Sequence, residues 1–194
     1  MALAGQKTKS DYIEWSKLQS LILKLERNGD LKFSLLISIG IYTGLRISDI
    51  LVLRWKDIVE KDFIEITEKK TKKFRRIRIN QNLKEIIERM LLHSHNDLES
   101  LIFLNRFNTS AISVQFINRK LKTLATDYKL SKEPTNIKSH SLRKSFGRRV
   151  FENNDSSERS LILLSEMFNH TSIKTTKVYL GIREKEMFEV YDNL

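Results

Sequence analysis

The 194-residue chain has no cysteine, one proline (Pro134) and only six glycines. Without cysteine it can form no disulfide, use no thiol nucleophile and build no thiolate-ligated zinc site. With no Ser- or Gly-rich run and no internal repeat, there is nowhere to place an interdomain linker. The expected organisation is therefore a flexible polar lead-in over residues 1–10 and one compact domain over 11–194. Long apolar runs are also missing. Phe33 to Tyr42 is too short to cross a bilayer and follows no signal-type segment, so no membrane partner is expected. Acidic residues are in deficit, with 24 Asp and Glu against 35 Lys and Arg, giving a net charge of +11. That balance favours a polyanionic partner, most often nucleic acid. Cationic proteins also bind anionic membranes or carry positive charge only for solubility. At 40% hydrophobic residues, the chain has enough apolar material to fold.

The patterning is mainly helical. Leu18, Leu21, Ile22 and Leu25 fall at i, i+3, i+4 and i+7 behind Ser16, a suitable N-cap, and Asn28-Gly29-Asp30 ends that helix. Residues 31–43 are apolar on nearly every side, as a helix inside a core would be. Gly44 suits the left-handed position after it, and Ser48 suits the cap of a short helix running to about Leu53. The period then changes: residues 63–67 and 76–79 read as strands, joined by a glycine-free basic turn expected to form a mobile hairpin tip. Leu83 to Leu91 marks a further helix, and Ile117 to Tyr128 another, entered near Thr109-Ser110. Four more helical segments are expected near 140–152, 158–168, 172–179 and 184–192. The fold class is α+β, mainly α, with a small antiparallel sheet of about three strands at one edge.

Three segments carry chemistry. In the first, Leu142, Phe146 and Val150 form a core-facing stripe, while His140, Arg143 and Gly147 share another face and set an imidazole beside a guanidinium. Gly147 leaves room for a backbone or ligand to approach. A surface helix with solvated charges is the plainer alternative. In the second, Thr43 to Asp49, Arg46 lies between a helix end and a new N-terminus, where free N–H groups favour an anion and a guanidinium can grip two phosphate oxygens. Arg46 could instead cap the preceding helix. Asp49 could orient Arg46 or simply favour the helix dipole. In the third, Asn169 takes a left-handed helix-end position, His170 follows, Thr171-Ser172 can cap a new helix, and Tyr179 stands nine residues beyond His170.

Together the segments TGLRISDILVLRWKDI (43–58), HSLRKSF (140–146) and MFNHTSIKTTKVYLG (167–181) resemble the catalytic domain of tyrosine recombinases, the phage- and transposon-type integrase family. They stand in the family's order and approximate spacing, and the resemblance covers essentially all of residues 11–194. Phe168-Asn169 replaces the usual Leu-Gly, and Lys144 stands where His or Arg is common. Both keep the physical requirement: an apolar residue followed by one that tolerates a left-handed turn, and a cation. The family's N-terminal core-binding domain is expected to be absent from this chain.

The resemblance implies residue roles. Arg46 and Arg143 are its two arginines, His140 its first histidine, His170 its His-or-Trp position, and Tyr179 its nucleophile. Lys70, followed by Thr71, best matches the hairpin lysine, with Lys69, Lys72 and Lys73 crowding it. The implied reaction breaks and rejoins DNA through a 3′-phosphotyrosyl bond, without metal, nucleotide or other cofactor. His140 would act as base for a phenol whose ordinary pKa is ~10, and Lys70 would protonate the leaving 5′-oxygen. Both guanidiniums and His170 would stabilise charge on the non-bridging oxygens. Residues 69–78 hold seven Lys or Arg, so Lys69, Thr71, Lys72, Lys73 and Arg75 are expected DNA contacts, with Lys144 and Lys174. A solvated charged turn is the alternative.

The implied partner is double-stranded DNA, with self-association into a tetramer on it. The tail 182–194, with Met187, Phe188 and Tyr191 at helical spacing, would dock on a neighbouring copy or on its own domain. The implied location is the cytoplasm, at the nucleoid of a bacterium or phage-infected cell. The main rival is a DNA-binding regulator or structural protein that keeps the fold without cleaving. A basic RNA- or membrane-associated domain would explain the charge but not the spaced Arg, His and Tyr. His93 and His95 read as a polar loop and receive no role.

Overall fold

The structure is a computed structural model describing residues 10–93, 97–182, 188 and 190–194. Its elements are α1 (Trp15–Arg27), α2 (Leu31–Thr43), α3 (Ile47–Ile50), β1 (Phe63–Thr67), β2 (Phe74–Arg78), α4 (Gln81–Leu92), α5 (Val114–Asp127), α6 (Ser139–Asn153), α7 (Glu158–Phe168) and α8 (Ile173–Leu180). His95 and Met187 lie outside the described residues, as does most of the expected lead-in and much of the expected 184–192 helix.

The all-round apolar helix α2 forms the centre. Leu35, Leu36, Ile37, Ile39 and Ile41 are fully buried, and α2 packs against α1, α4 and α6. Its contact with α6 is close because Gly40 lacks a side chain: a Cβ there would lie 2.9 Å from Leu142 Cδ1. The amphipathic helices α1, α4 and α5 cover this centre with Leu21, Ile87 and Leu121. A second, smaller apolar cluster lies beyond α6, where Phe151, Leu161, Leu164, Phe168, Leu180 and Ile182 pack together with half-buried Phe146, Val150 and Tyr179.

Several local expectations change. Helix α1 begins at Trp15 behind Glu14, not behind Ser16, because the apolar stripe extends one turn further back. Helix α3 is a single turn starting after Arg46, not capped by Ser48. Helix α5 is capped by Ser113, whose hydroxyl accepts from the Phe116 N–H at 3.1 Å. Thr109 and Ser110 instead belong to a turn closed by the Asn105 side chain. The sheet has two antiparallel strands among the described residues, pairing Phe63 with Arg78 through Thr67 with Phe74, where about three were expected. Elsewhere only isolated bridges form, Arg54 with Leu101 and Leu104 with Ala111.

The expected loose hairpin tip is tied down. Glu68 N–H donates to Lys73 O at 3.0 Å and Lys72 N–H to Glu68 O at 2.9 Å, while Lys72 takes a left-handed conformation with φ 58°. That conformation costs a non-glycine residue on the order of 1 kcal/mol, and the side-chain anchors described below offset it. Among the described residues, no helix is long and apolar enough to cross a membrane.

Candidate active site

Arg46 follows Gly44, which ends α2 in the left-handed region at φ 63°. The turn is compact: a Cβ on Gly44 would lie 2.5 Å from Phe146 Cδ1. It sends Arg46 toward the end of α7, where its Nη2 donates to the Phe168 carbonyl at 3.3 Å. Arg143, on α6, reaches the same oxygen with Nη2 at 3.1 Å and gives Nη1 to the Gly44 carbonyl at 2.5 Å. Its guanidinium carbon lies 4.2 Å from the Phe168 ring centre. Two arginines 97 positions apart in the chain thus converge on one carbonyl oxygen. Arg46 does not cap the helix before it, and Arg143, only 3% exposed, is not a solvated surface charge. Burial lowers the Arg143 pKa to about 10, with Arg46 pushing the same way, so Arg143 stays charged at neutral pH.

Helix α7 ends as its sequence predicts. Asn169 is left-handed at φ 53° and ψ 48°, and Ser172 caps α8 by accepting from the Thr175 N–H at 3.2 Å. The turn presents His170, whose Nδ1 lies 3.0 Å from the Thr176 hydroxyl. Burial, then Arg143, Arg46 and Lys70, pull the His170 pKa down to about 4. Tyr179 packs edge-on against His170, with ring centres 5.2 Å apart, and against Phe168 at 5.6 Å. Its hydroxyl is buried with no hydrogen bond of normal geometry among the described residues, although the Arg143 guanidinium faces it as a donor. Burial pushes its pKa up to about 12, outweighing the opposing pull of Arg143 and Arg46. The phenol is therefore fully protonated at neutral pH in this arrangement.

His140 stands one turn before Arg143 on α6 and is exposed. Loss of water around its ring, then Arg143, Arg46, Lys144 and Lys70, hold it below the usual imidazole value. It is therefore neutral at pH 7, with a free lone pair able to take a proton. Lys70 is exposed at the hairpin tip, near enough to act on both histidines.

The other expected contacts separate. Lys69, Lys72, Lys73 and Lys174 are exposed, and Lys73 Nζ also donates to Asn169 Oδ1 at 2.6 Å, tying the hairpin to the α7–α8 turn. Lys144 donates to the Ser10 carbonyl at 2.7 Å and sits 5.3 Å from the Tyr179 ring centre. Thr71 and Arg75 turn inward, donating to Glu68 at 2.6 and 3.0 Å. Gly147 admits no ligand, because its missing Cβ would lie 2.6 Å from Leu180 Cδ2 and 2.9 Å from the Phe168 ring. The Asp49 side chain does not orient the Arg46 guanidinium: its Oδ1 accepts the Lys69 N–H at 3.0 Å and so anchors the hairpin, while only its backbone N–H meets Arg46, at the carbonyl oxygen at 2.9 Å.

Two residues escape the sequence reading. Glu68, fully buried, receives Arg46, Arg75 and Thr71. The available signal was that it is the sole acid between Glu65 and Glu85, within a basic run. Thr176, also fully buried, sets the His170 ring, and nothing in its local sequence marks it. Among the described residues, no group of His, Asp and Glu is arranged to hold a metal ion.

Comparison with known proteins places the chain in a family and its fold among solved structures. The phage integrase family model matches residues 12–186. The probable integrase/recombinase YoeC of Bacillus subtilis is 36% identical over 146 residues, covering 75% of each chain. Among solved structures, XerA recombinase superposes with a TM-score of 0.71 at 19% identity over 95% of this chain and 65% of its own. A post-cleavage complex of XerH with a palindromic difH substrate gives 0.68 at 22% identity, over 98% of this chain and 55% of that one. The chain spans about half the length of several curated recombinases it matches, 42% of one and 50% of another.

Proposed function

Since the chain belongs to the phage integrase family, we propose that it is the catalytic portion of a tyrosine-type site-specific recombinase, which cleaves and rejoins double-stranded DNA. The observation that carries this reading is the meeting of Arg46 and Arg143 on the Phe168 carbonyl, beside the Tyr179 hydroxyl. Two guanidiniums that share one protein oxygen are arranged to share the oxygens of a phosphodiester. The charge they supply takes the place that metal ions hold in other phosphoryl-transfer enzymes.

In this reading the Tyr179 oxygen attacks phosphorus while its proton passes to neutral His140. The bond from phosphorus to the 5′-oxygen breaks, and Lys70 protonates that oxygen, leaving a 3′-phosphotyrosyl bond and a free 5′-hydroxyl. A 5′-hydroxyl from another strand reverses the step, so the phosphodiester energy is conserved and no ATP is consumed. His170, with Nδ1 accepting from Thr176, keeps its proton on Nε2 and donates to a non-bridging oxygen. The high pKa of Tyr179 means that the protein without DNA holds its nucleophile unreactive, and phosphate entry between the arginines and the phenol replaces the contacts that bury it.

Lys69, Lys72, Lys73 and Lys174 lie on the exposed surface around this site and suit backbone phosphates. Self-association on DNA as a tetramer draws support from the tail, where Phe188, Val190, Tyr191 and Leu194 are exposed apolar groups. The bacterial relatives support a role at the nucleoid.

The test is covalent capture from a randomised pool of nicked duplexes. Wild type should retain DNA through denaturation, and Tyr179→Phe should retain none. Adduct with Tyr179→Phe would displace the nucleophile, and no adduct with wild type would favour a DNA-binding protein that does not cleave.

A further inference from the structure

We propose that Glu68 is a positioning residue that sets Arg46 and the Lys70-bearing hairpin as one unit, so that the site assembles both or neither. Its Oε2 receives Arg46 Nη1 at 2.6 Å and the Thr71 hydroxyl at 2.6 Å, and its Oε1 receives Arg75 Nη1 at 3.0 Å. The carboxylate is fully buried, so these bonds work in a low dielectric, where removing one partner is costly. One face of the Arg46 guanidinium is held by Glu68, which leaves Nη2 aimed at the shared Phe168 oxygen. Lys70 lies between Glu68 and Thr71, both ends of which meet at this carboxylate. Arg75, on the returning strand, closes the loop from the other side.

A carboxylate that merely neutralised two arginines would need no bond to Thr71. The third bond reaches the residue next to Lys70, and this turns charge balance into placement. Burial alone would raise the Glu68 pKa, but Thr71, Arg75 and Arg46 hold it at about 2, so the clamp stays ionised throughout the working pH range. The inference rests on the recombinase reading for its catalytic consequence, while the clamp itself has a separate readout.

The experiment compares wild type, Glu68→Asp, Glu68→Gln and Glu68→Ala by two measurements. In the DNA-free protein, side-chain nitrogen NMR should show slowed rotation of the Arg46 guanidinium in wild type and its loss in Glu68→Gln and Glu68→Ala. Retained slow rotation in those variants overturns the proposal whether or not the protein cleaves. On nicked duplexes recovered by covalent capture, single-turnover cleavage should fall roughly 10²-fold in Glu68→Ala, as for loss of one transition-state donor. Glu68→Asp should recover part of this, with DNA affinity little changed. A substrate whose leaving oxygen is replaced by sulfur needs no protonation. It should restore Glu68→Ala only partly, because the Arg46 share of the defect persists. Full restoration, or wild-type cleavage by Glu68→Ala, would overturn the joint placement. Tyr179→Phe run alongside reports on the recombinase reading independently.

Discussion

The two apolar clusters hold their reactive groups in different ways. Arg46 and Arg143 are fixed by named protein acceptors: Glu68, the Gly44 carbonyl and the Phe168 carbonyl. They emerge from the turn after α2 and from α6, beside the large cluster. Tyr179 belongs to the small cluster, and its hydroxyl is buried facing the Arg143 guanidinium with no hydrogen bond of normal geometry among the described residues. Its ring is held by the packing of Phe168 and His170, with the Lys144 ammonium 5.3 Å from the ring centre. The two guanidiniums are thus held by hydrogen bonds, and the phenol mainly by packing. This division suits a reaction in which the cationic seat must precede the phosphate while the attacking group adjusts to it.

A pair of glycines can break or sharpen that contrast. Gly40→Ala places a Cβ 2.9 Å from Leu142 Cδ1 and 3.0 Å from its Cβ, where helix backbones set the spacing and little can give. Gly147→Ala places one 2.6 Å from Leu180 Cδ2 and 2.9 Å from the Phe168 ring, both buried in the cluster that holds Tyr179. Overpacking of this kind costs about 1–3 kcal/mol. Gly40→Ala should fall at the upper end, with a Tm loss of roughly 6–12 °C for a chain of this size. Gly147→Ala should lose more cleavage for each degree of Tm lost, since its strain falls on Phe168 and Leu180, which flank Tyr179. Thermal unfolding and single-turnover cleavage of the two variants would decide this. Equal cleavage loss at equal Tm loss would mean that the clusters do not act as separate supports.

Much of this arrangement was legible in the sequence. The all-round apolar run at 31–43, the left-handed signals at Gly44 and Asn169, and the cap at Ser172 are local patterns, and each stands where its spacing places it. Arg46, His140, Arg143, His170 and Tyr179 stand out because their neighbours carry family motifs, not because any one residue announces a role. Glu68 and Thr176 were missed because their roles exist only through partners brought close by folding: Arg46 is 22 positions from Glu68. Gly147 was misread for the same reason, since the space it leaves is taken by Leu180 and Phe168 from later helices. The mobile hairpin tip was likewise a judgement from composition, and the buried carboxylate that anchors it cannot be seen in a row of lysines.

Acid offers a second contrast between the halves. The folded His170 pKa is about 4 against a usual 6.5, so protonation favours the unfolded chain. Its stabilising contribution is complete above pH 6.5 and falls as pH drops toward 4; His140 shifts in the same direction. Glu68 is held at about 2 against a usual 4.5, so its contribution is complete above 4.5 and falls as pH drops toward 2. Acid should therefore weaken the tyrosine half first and the arginine half second. Tm measured from pH 7 to 2 should decline in two stages, and His170→Gln should flatten the upper one. An upper stage unchanged by His170→Gln would assign it to another group.

The smallest effect concerns how each half meets DNA. Lys72 lies at the hairpin tip and Lys174 on α8, both exposed, so replacement should leave the core and the arginine seat intact. If each neutralises one phosphate, Lys72→Ala and Lys174→Ala should each reduce the slope of log Kobs against log salt by ~0.9 on any duplex sequence, without altering cleavage of the bound complex. Titrations across a salt series would read this directly. An unchanged slope for Lys174→Ala together with a reduced one for Lys72→Ala would mean that only the hairpin flank grips the backbone. Tyr179 would then be carried to its phosphate on a helix that makes no phosphate contact through Lys174, and its placement would depend on the packing of Phe168, His170 and Leu180 around it.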